Sequence, residues 1–361
     1  MATITGNTGN NVLNGTNDRD EIFGRAGDDG IQGFGANDRL HGEEGNDRVI
    51  GGDRNDLIWG DFHPEIQFTK SFGDDHIDGG NGNDRLDAGP GNDTILGGSG
   101  RDRLYGQDGD DVLDGGTDVD ELYGGGGNDT LIFNPGPVDV DIDLPDLHRT
   151  VLNGGAGFDT LKVTNLTTTS EDAESPGFFH EPWLNSTIIY AGTNGGVSLT
   201  FEPGLFSDAG TGFNLQGIER IEVAGPEPLT YLGEIGDAGI TIVGTRQGDF
   251  FLGGDGDETF LGGGGNDTFQ AGSGTDVLIS WINDADSFYF RGSDTGHKEI
   301  QYFNGAGQPG GDHISISGVQ QGSVSITERN GSTVIDWGNG DVTIDAVGLA
   351  AGVDYDLIFI S

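Results

Sequence analysis

The residues best suited to chemistry in this chain are carboxylates that recur every nine residues. They hold one fixed place in seventeen of eighteen nine-residue units, two positions before an apolar residue. Carboxylates beside glycine-rich turns offer hard oxygen ligands, which suit Ca²⁺ with its six to eight oxygens better than the small octahedron of Mg²⁺. The spacing therefore predicts multiple Ca²⁺ sites. The predicted ligands are Asp20, Asp29, Asp38, Asp47, Asp56, Asp75, Asp84, Asp93, Asp102, Asp111, Asp120, Asp129, Asp159, Asp249, Glu258, Asp267 and Asp276.

The units share the consensus G-G-x-G-x-D-x-U-x, where U is apolar. Typical copies are GGNGNDRLD (79–87), GGSGRDRLY (97–105) and GGGGNDTLI (124–132). This pattern resembles the RTX (repeats-in-toxin) calcium-binding nonapeptide. The resemblance implies an all-β fold, a right-handed parallel β-roll in which each x-U-x tripeptide is a short strand and two units complete one coil. In the first array, position eight is occupied by Leu13, Ile22, Ile31, Leu40, Val49, Ile58, Ile77, Leu86, Ile95, Leu104, Leu113, Leu122 and Leu131.

Alternate units lie on the same edge of such a roll, so the aspartates form two ladders. One predicted ladder contains Asn11, Asp29, Asp47, Asp75, Asp93, Asp111 and Asp129, and the other contains Asp20, Asp38, Asp56, Asp84, Asp102 and Asp120. In the second array, Asp249 faces Asp267 and Glu258 faces Asp276. Ions between neighbouring rungs number at most about thirteen, and we expect roughly eight to ten of them to be occupied.

Several units depart from the consensus. Asn11 contributes no charge, and Glu258 has a longer side chain than aspartate. The second-half glycine is replaced at Asp18, Ala36, Arg54, Asp118 and Gln247. An insertion at 63–72 falls inside a turn, which puts the sites that use Asp75 in question. A competing interpretation makes these aspartates a solvated acidic edge of turn-forming residues.

Composition supports a chain that depends on a cation. Among 361 residues there are 70 glycines and no cysteine, and the net charge is −45. The lack of cysteine excludes disulfides and thiolate metal sites. A chain this acidic repels phosphate, so we expect no nucleic-acid partner. The sequence contains no run of about 18 apolar residues, so we predict no membrane span. With only 33% hydrophobic residues, the chain is expected to be disordered unless a cation neutralises it.

The repeats divide the chain into four predicted segments. A first roll of thirteen units spans 1–133, an irregular β segment with one isolated repeat at 154–162 spans 134–243, a second short roll spans 244–279, and a β cap spans 280–361. The cap is needed because a bare last coil exposes core and unpaired strand edges. The final residues, DYDLIFIS (354–361), resemble the end of type I secretion signals, although they also fit an ordinary last strand.

These features predict a secreted, extracellular bacterial protein, exported by type I machinery and folded by calcium outside the cell. We expect it to be non-catalytic, a surface, matrix or adhesion component whose partner is a polysaccharide or a cell-surface molecule. The alternative is a carbohydrate-active enzyme with its site in 134–243. Residues at position nine, Phe23, His41, Trp59, Asp87, Tyr105 and Tyr123, predict a mostly aromatic stripe. Such a stripe either binds sugar rings or packs beneath another segment.

Overall fold

A computed structural model shows an all-β chain with mostly parallel strands. Among the described residues there is no helix, and therefore none that is long and apolar enough to cross a membrane. The chain divides into two compact units, Met1–Thr169 with Phe213–Ile218, and Ser170–Gly212 with Glu219–Ser361. The structure describes residues 1–61, 72–118, 120–134, 137–139, 151–156, 159–164, 167–169, 187–191, 197–201, 213–216, 220–224, 229–232, 240–281, 284–304, 311–320, 323–346, 349 and 355–359.

The strands of the first array lie where the x-U-x tripeptides were predicted. Up to residue 169 they are β1 Ala2–Thr5, β2 Val12–Asn14, β3 Asp20–Ala26, β4 Gly30–Gly35, β5 Arg39–Glu44, β6 Arg48–Asp53, β7 Leu57–Trp59, β8 His76–Asn81, β9 Arg85–Asp87, β10 Thr94–Ser99, β11 Arg103–Asp108, β12 Val112–Thr117, β13 Glu121–Gly126, β14 Thr130–Phe133, β15 Pro137–Asp139, β16 Val151–Ala156, β17 Thr160–Thr164 and β18 Thr167–Thr169. Alternate strands pair in parallel, β3 with β5 and β4 with β6, so two sheets face each other across the roll.

Pairing register follows the eighteen-residue coil. Ile22 pairs with Leu40 and Leu40 with Ile58, and these position-eight side chains have no exposed surface. Side chains in a strand alternate between the two faces, so the middle residue of each tripeptide points into the core. Ile58 then pairs with Leu86, which shows that the insertion leaves the stacking register unchanged.

Turns between strands need left-handed backbone. Gly52 has φ 117° and a Cβ there would collide with the backbone of Phe34. Ala36, Arg54 and Asp118 stand where the consensus has its second-half glycine, yet they keep the same conformation with φ of 84°, 83° and 84°. Left-handed backbone costs a non-glycine residue roughly 1–2 kcal/mol. These substitutions therefore preserve the turn geometry and add strain to it.

The isolated repeat belongs to the first stack of coils. Leu122 pairs with Leu152 and Leu131 pairs with Leu161, so β16 and β17 continue the two sheets beyond the first array. β16 also pairs with Phe213–Gln216, which therefore belongs to the same unit. Most of 134–243 and nearly all of the 63–72 insertion lie outside the described residues, and the four-segment division of the chain stays a prediction.

Later strands continue the numbering. They are β19 Thr187–Ala191, β20 Val197–Phe201, β21 Phe213–Gln216, β22 Arg220–Ala224, β23 Leu229–Leu232, β24 Thr241–Val243, β25 Phe250–Leu252, β26 Thr259–Leu261, β27 Thr268–Gln270, β28 Asp276–Ile279, β29 Ser287–Arg291, β30 Gly296–Gln301, β31 His313–Val319, β32 Ser325–Arg329, β33 Ser332–Asp336, β34 Gly340–Ile344 and β35 Tyr355–Phe359. In the second unit, β23, β25, β27, β29, β31 and β35 form one parallel stack.

The second unit has an aromatic core. Phe251 stacks on Phe269 and Phe269 on Phe288, with ring centroids 5.0 Å apart in both pairs. One coil rise in a parallel sheet is about 4.8 Å, which brings rings at equivalent positions to stacking distance. At the far end, β34, β33 and β32 pair antiparallel, which ends the parallel stacking. The all-β parallel roll predicted from the repeats is confirmed.

Candidate calcium sites

The aspartates at position six form continuous hydrogen-bonded ladders. The backbone N–H of Asp20 donates to Asp38 Oδ1 at 2.7 Å, and that of Asp38 donates to Asp56 Oδ1 at 2.8 Å. The predicted partners on the opposite edge are joined in the same way, from Asn11 to Asp29 at 2.6 Å and onward. Each carboxylate thus uses one oxygen to join its coil to the preceding coil.

Neither the insertion nor the gap before the isolated repeat breaks these ladders. Asp47 N–H donates to Asp75 Oδ1, and Asp75 N–H donates to Asp93 Oδ1, both at 2.7 Å. Asp129 N–H donates to Asp159 Oδ1 at 2.8 Å. Asp75 therefore occupies an ordinary rung, because the strands on either side of the insertion keep their pairing register.

Burial separates these residues from a solvated acidic edge. All seventeen predicted ligands are at most 3% exposed. Twelve aspartates of the ladders share a further feature: their second carboxylate oxygen, Oδ2, is buried and accepts no hydrogen bond. They are Asp29, Asp38, Asp47, Asp56, Asp75, Asp84, Asp93, Asp102, Asp111, Asp129, Asp267 and Asp286. A buried charged oxygen without a partner is costly, so each of these atoms calls for a positive charge.

Glycine leaves the space beside these oxygens open. A Cβ on Gly33 would come within 2.6 Å of both Asp38 Oδ2 and the carbonyl oxygen of Gly51. A Cβ on Gly79 would meet Asp84 Oδ2 at 2.6 Å and Gly97 O at 2.7 Å. Any side chain would therefore fill a space lined by one carboxylate oxygen and one carbonyl oxygen. The consensus glycine is required there for space as well as for turn conformation.

Burial also raises the pKa of these carboxyl groups. The pKa is raised to about 9 at Asp75, about 8 at Asp56 and about 7 at Asp102, first because burial disfavours the charged form and then because neighbouring aspartates repel it. A backbone N–H donated to each carboxylate offsets this only in part. Without a cation, the folded ladders therefore oppose ionisation of their own aspartates at neutral pH.

The donor set fits Ca²⁺. It consists of oxygens alone, both carboxylate and backbone carbonyl, and these are the hard ligands that Ca²⁺ prefers. Within the described parts of the chain, no three Asp, Glu or His side chains converge on one point. A cation between two rungs must therefore take most of its ligands from turn carbonyls, and the two aspartates supply the charge.

The first rungs are closed by the protein's own donors. Asp20 Oδ2 accepts from the N–H of Thr16 at 2.6 Å and from its hydroxyl at 2.9 Å. In the second unit, Asp249 Oδ2 accepts from Thr245 N–H at 2.6 Å and its Oδ1 accepts from Thr245 Oγ1 at 2.9 Å. Threonine replaces glycine at position two in both units. Asp20 and Asp249 thus accept hydrogen bonds from neutral threonine donors, whereas the buried Oδ2 atoms of the inner rungs accept none.

The ladder of the second unit runs beyond the consensus repeats. Asp267 N–H donates to Asp286 Oδ1 at 2.7 Å, and Asp286 N–H donates to Asp312 Oδ1 at 2.9 Å. Asp312 Oδ2 accepts from Ser280 Oγ at 3.0 Å and from Asn304 N–H at 2.7 Å, so this rung ends the ladder. The D-x-U spacing before Phe288 and Ile314 is the signal that sequence reasoning passed over. The glycines of the consensus are missing before Asp286, although Gly310 and Gly311 precede Asp312.

A buried aspartate next to the insertion was also missed. Asp61 replaces the second glycine of its unit and is 2% exposed. Its Oδ2 accepts from Gly73 N–H at 3.0 Å, and its Oδ1 has no donor. Burial first, and then the charges of Asp93 and Asp47, raise its pKa to about 8. The chain therefore adds a further buried carboxylate beside the rung of Asp75.

The predicted aromatic stripe forms two internal stacks. His41 lies between Phe23 at 4.6 Å and Trp59 at 4.4 Å, measured between ring centroids. Tyr105 stacks on Tyr123 at 5.0 Å, and the Arg85 guanidinium lies 4.3 Å from its ring centroid on the preceding coil. The faces of His41 and Tyr105 are thus covered within the protein. A sugar ring binds an open aromatic face, so these two rings are structural.

Comparison with known proteins agrees with the repeat geometry. The family model described as the RTX calcium-binding nonapeptide repeat matches residues 3–31, 32–62, 71–95, 96–131 and 236–281. No curated protein matches the chain. Among solved structures, the extracellular lipase LipA from Serratia marcescens aligns at 16% identity and a TM-score of 0.19, over 84% of this chain and 38% of the lipase. The chain therefore spans well under half of the lipase. Its repeats, ladders and parallel coils show that the chain is an RTX calcium-binding repeat protein.

Proposed function

We propose that this protein is secreted without a stable fold and that extracellular Ca²⁺ folds it into a non-catalytic surface, matrix or adhesion component. The observation that carries the proposal is the row of buried Oδ2 atoms that lack any donor. Each is a charge that the fold places inside and leaves without a protein partner. A folded state with this feature is stable at neutral pH only when cations bind to it.

Charge and cation binding together account for the switch. The net charge of −45 makes the calcium-free chain repel itself, which favours an extended state suited to export through a channel. Ca²⁺ binds the folded ladders and not the dispersed chain, so its binding free energy becomes folding free energy. Extracellular modules bind Ca²⁺ with dissociation constants of about 0.1–1 mM. With such affinities the chain stays unfolded at the low calcium concentration inside a cell and folds at the higher concentration outside.

Far-ultraviolet circular dichroism of the full chain tests the proposal. In excess chelator we expect a coil spectrum, in millimolar Ca²⁺ a β spectrum, and with equal Mg²⁺ little change, because Mg²⁺ demands a small regular octahedron. Equilibrium dialysis of the folded chain gives the number of bound ions. A β spectrum that persists in chelator would refute the calcium-dependent fold.

The surface role and the enzymatic alternative need a separate test. Retention on acidic polysaccharides and on whole cell surfaces, with and without calcium, measures binding, and analysis of the released sugars measures cleavage. We expect calcium-dependent retention and no product. Product formation would favour the carbohydrate-active alternative, whose predicted site in 134–243 lies mostly outside the described residues. Retention equal in chelator and in calcium would contradict binding through the folded rolls.

A further inference from the structure

Lys298 is a buried lysine at the end of a carboxylate ladder. Its side chain and that of Asp276 are both 0% exposed, and Lys298 Nζ lies 3.0 Å from Asp276 Oδ2. The same ammonium donates to Gly274 O at 2.7 Å and to Thr295 O at 2.9 Å. The ammonium thus lies within contact distance of three oxygens: it forms an ion pair with one carboxylate and donates hydrogen bonds to two turn carbonyls. This set of ligands has the same chemistry as the donors predicted for Ca²⁺.

The register places Lys298 where the next ladder aspartate belongs. Glu258 N–H donates to Asp276 Oδ1 at 3.0 Å, the ordinary link between rungs. In the parallel pairing of β28 with β30, Asp276 lies opposite Lys298. The ladder therefore reads Glu258, Asp276, Lys298, and the third rung carries a positive charge where the others carry a negative one.

Other ladder ends differ in one respect. Thr16, Thr245 and Ser280 close theirs with neutral donors. Only a charged group neutralises a carboxylate, and a buried carboxylate without a positive partner is unfavourable. Along the inner rungs the corresponding Oδ2 atoms have no partner in the protein.

We propose that the Lys298 ammonium takes the place of a calcium ion at the last step of this ladder. The step between the coil of Asp276 and the coil of Lys298 is then closed by a cation that belongs to the chain. The inference rests on the proposed calcium-dependent function, since Lys298 can replace a calcium ion only if the other gaps between rungs bind calcium. It makes the Asp276 end of this ladder a place whose charge balance does not depend on calcium concentration.

Replacing Lys298 by aspartate tests this directly. Lys298→Asp restores a carboxylate rung and removes the internal cation, so the calcium-saturated variant should bind at least one more Ca²⁺ per chain than the wild type in equilibrium dialysis. Lys162→Asp is the matched control. Lys162 is partly exposed in β17, next to Ile132 in the pairing, and the same charge change there should leave the count unaltered.

A second variant keeps the test decisive if Lys298→Asp does not fold in saturating calcium. Lys298→Met fills a similar volume without charge, and it should raise the calcium concentration at the midpoint of folding severalfold. Adding Asp276→Asn to it removes the unpaired carboxylate and should return the midpoint towards the wild-type value. Packing by the lysine stem alone predicts no such rescue.

The outcomes separate the two proposals. A wild-type chain that binds no calcium overturns both of them. If the wild type binds calcium but folded Lys298→Asp binds the same number of ions, the substitute-cation role is wrong and the calcium-dependent fold stands. An unchanged folding midpoint in Lys298→Met, or a double variant no better than the single one, overturns the role in the same way.

Discussion

Replacing Asp102 by asparagine should change stability in opposite directions with and without calcium. Asp102 is 1% exposed, and its Oδ1 accepts the Asp84 N–H at 2.8 Å. Asparagine keeps that acceptor oxygen and the shape of the side chain, while it removes the charge carried by the unpartnered Oδ2. The backbone ladder therefore survives the substitution, and the cation sites on either side of the rung lose their ligand charge.

The magnitudes follow from burial and from mass action. A pKa raised from 3.8 to about 7 makes the ionised form cost up to about 4 kcal/mol in the cation-free fold at about pH 8. Asparagine removes that cost. In calcium at about a hundred times the dissociation constant, each lost site removes about 2.7 kcal/mol of stabilisation. Since one rung borders two gaps, the loss in calcium is expected to exceed the gain.

The assay is the free energy of unfolding measured over a series of calcium concentrations. Its slope against the logarithm of free calcium counts the ions that folding takes up, and Asp102→Asn should lower that count by about one to two. The variant and wild-type lines should cross, with the variant more stable at low calcium. Asp108→Asn makes the same chemical change at an exposed position and should give the wild-type line. Parallel lines would show that Asp102 stabilises by packing and would refute the reasoning.

Four further measurements test other parts of the structure. In chelator, lowering the pH from about 8 to about 5 should increase the β signal in circular dichroism. The folded-state pKa is raised to about 9 at Asp75 and about 8 at Asp56, so the cost of ionisation is present above those values and is lost as pH falls towards 3.8; a decreasing β signal would contradict this. Ala36→Gly should stabilise the calcium-bound protein by about 1 kcal/mol and raise its melting temperature, because glycine adopts the φ of 84° at this position without strain. A lower melting temperature would argue against strain there. Thr245→Val should cost about 1 kcal/mol in urea unfolding by removing the hydroxyl donated to Asp249 at 2.9 Å, and an unchanged midpoint would show that this closure of the ladder is dispensable. Asp286→Asn should lower the number of bound ions although Asp286 lies outside the consensus repeats, and an unaltered count in dialysis would limit the sites to the nonapeptides.

Much of the ladder geometry was predictable because it is a local property repeated along the chain. An aspartate at position six and an apolar residue at position eight, spaced by nine, imply strands that stack every eighteen residues, and the observed pairing of Ile22 with Leu40 follows that rule. Side-chain alternation in a strand then places every position-eight residue inside. No long-range information is needed for this inference, since each coil contacts mainly its neighbours.

Partners far apart in sequence or outside the consensus were beyond that reasoning. Asp286 and Asp312 continue a ladder beyond the unbroken nine-residue register, and Asp286 does so without the glycines that mark a repeat. Asp75 keeps its rung across an insertion that obscured it. The stacking of Phe23, His41 and Tyr105 against neighbouring rings was equally invisible, because a period in sequence does not say whether a ring faces solvent or the next coil.

By itself, the sequence determined the all-β roll, the two ladders and the preference for hard-oxygen chemistry, because nine-residue periodicity and glycine-rich turns leave the backbone few alternatives. Only the tertiary structure decided which carboxylate oxygens lack a donor and which are closed internally. Threonine reaches those atoms from position two of the same unit, where the consensus has glycine, and Ser280 and Lys298 reach them from outside the repeat units. The −45 charge is therefore not uniform in its effect. Where Thr16 or Lys298 contacts an aspartate the chain supplies the partner, and at the inner rungs the physical cost of a buried charge requires a cation from outside.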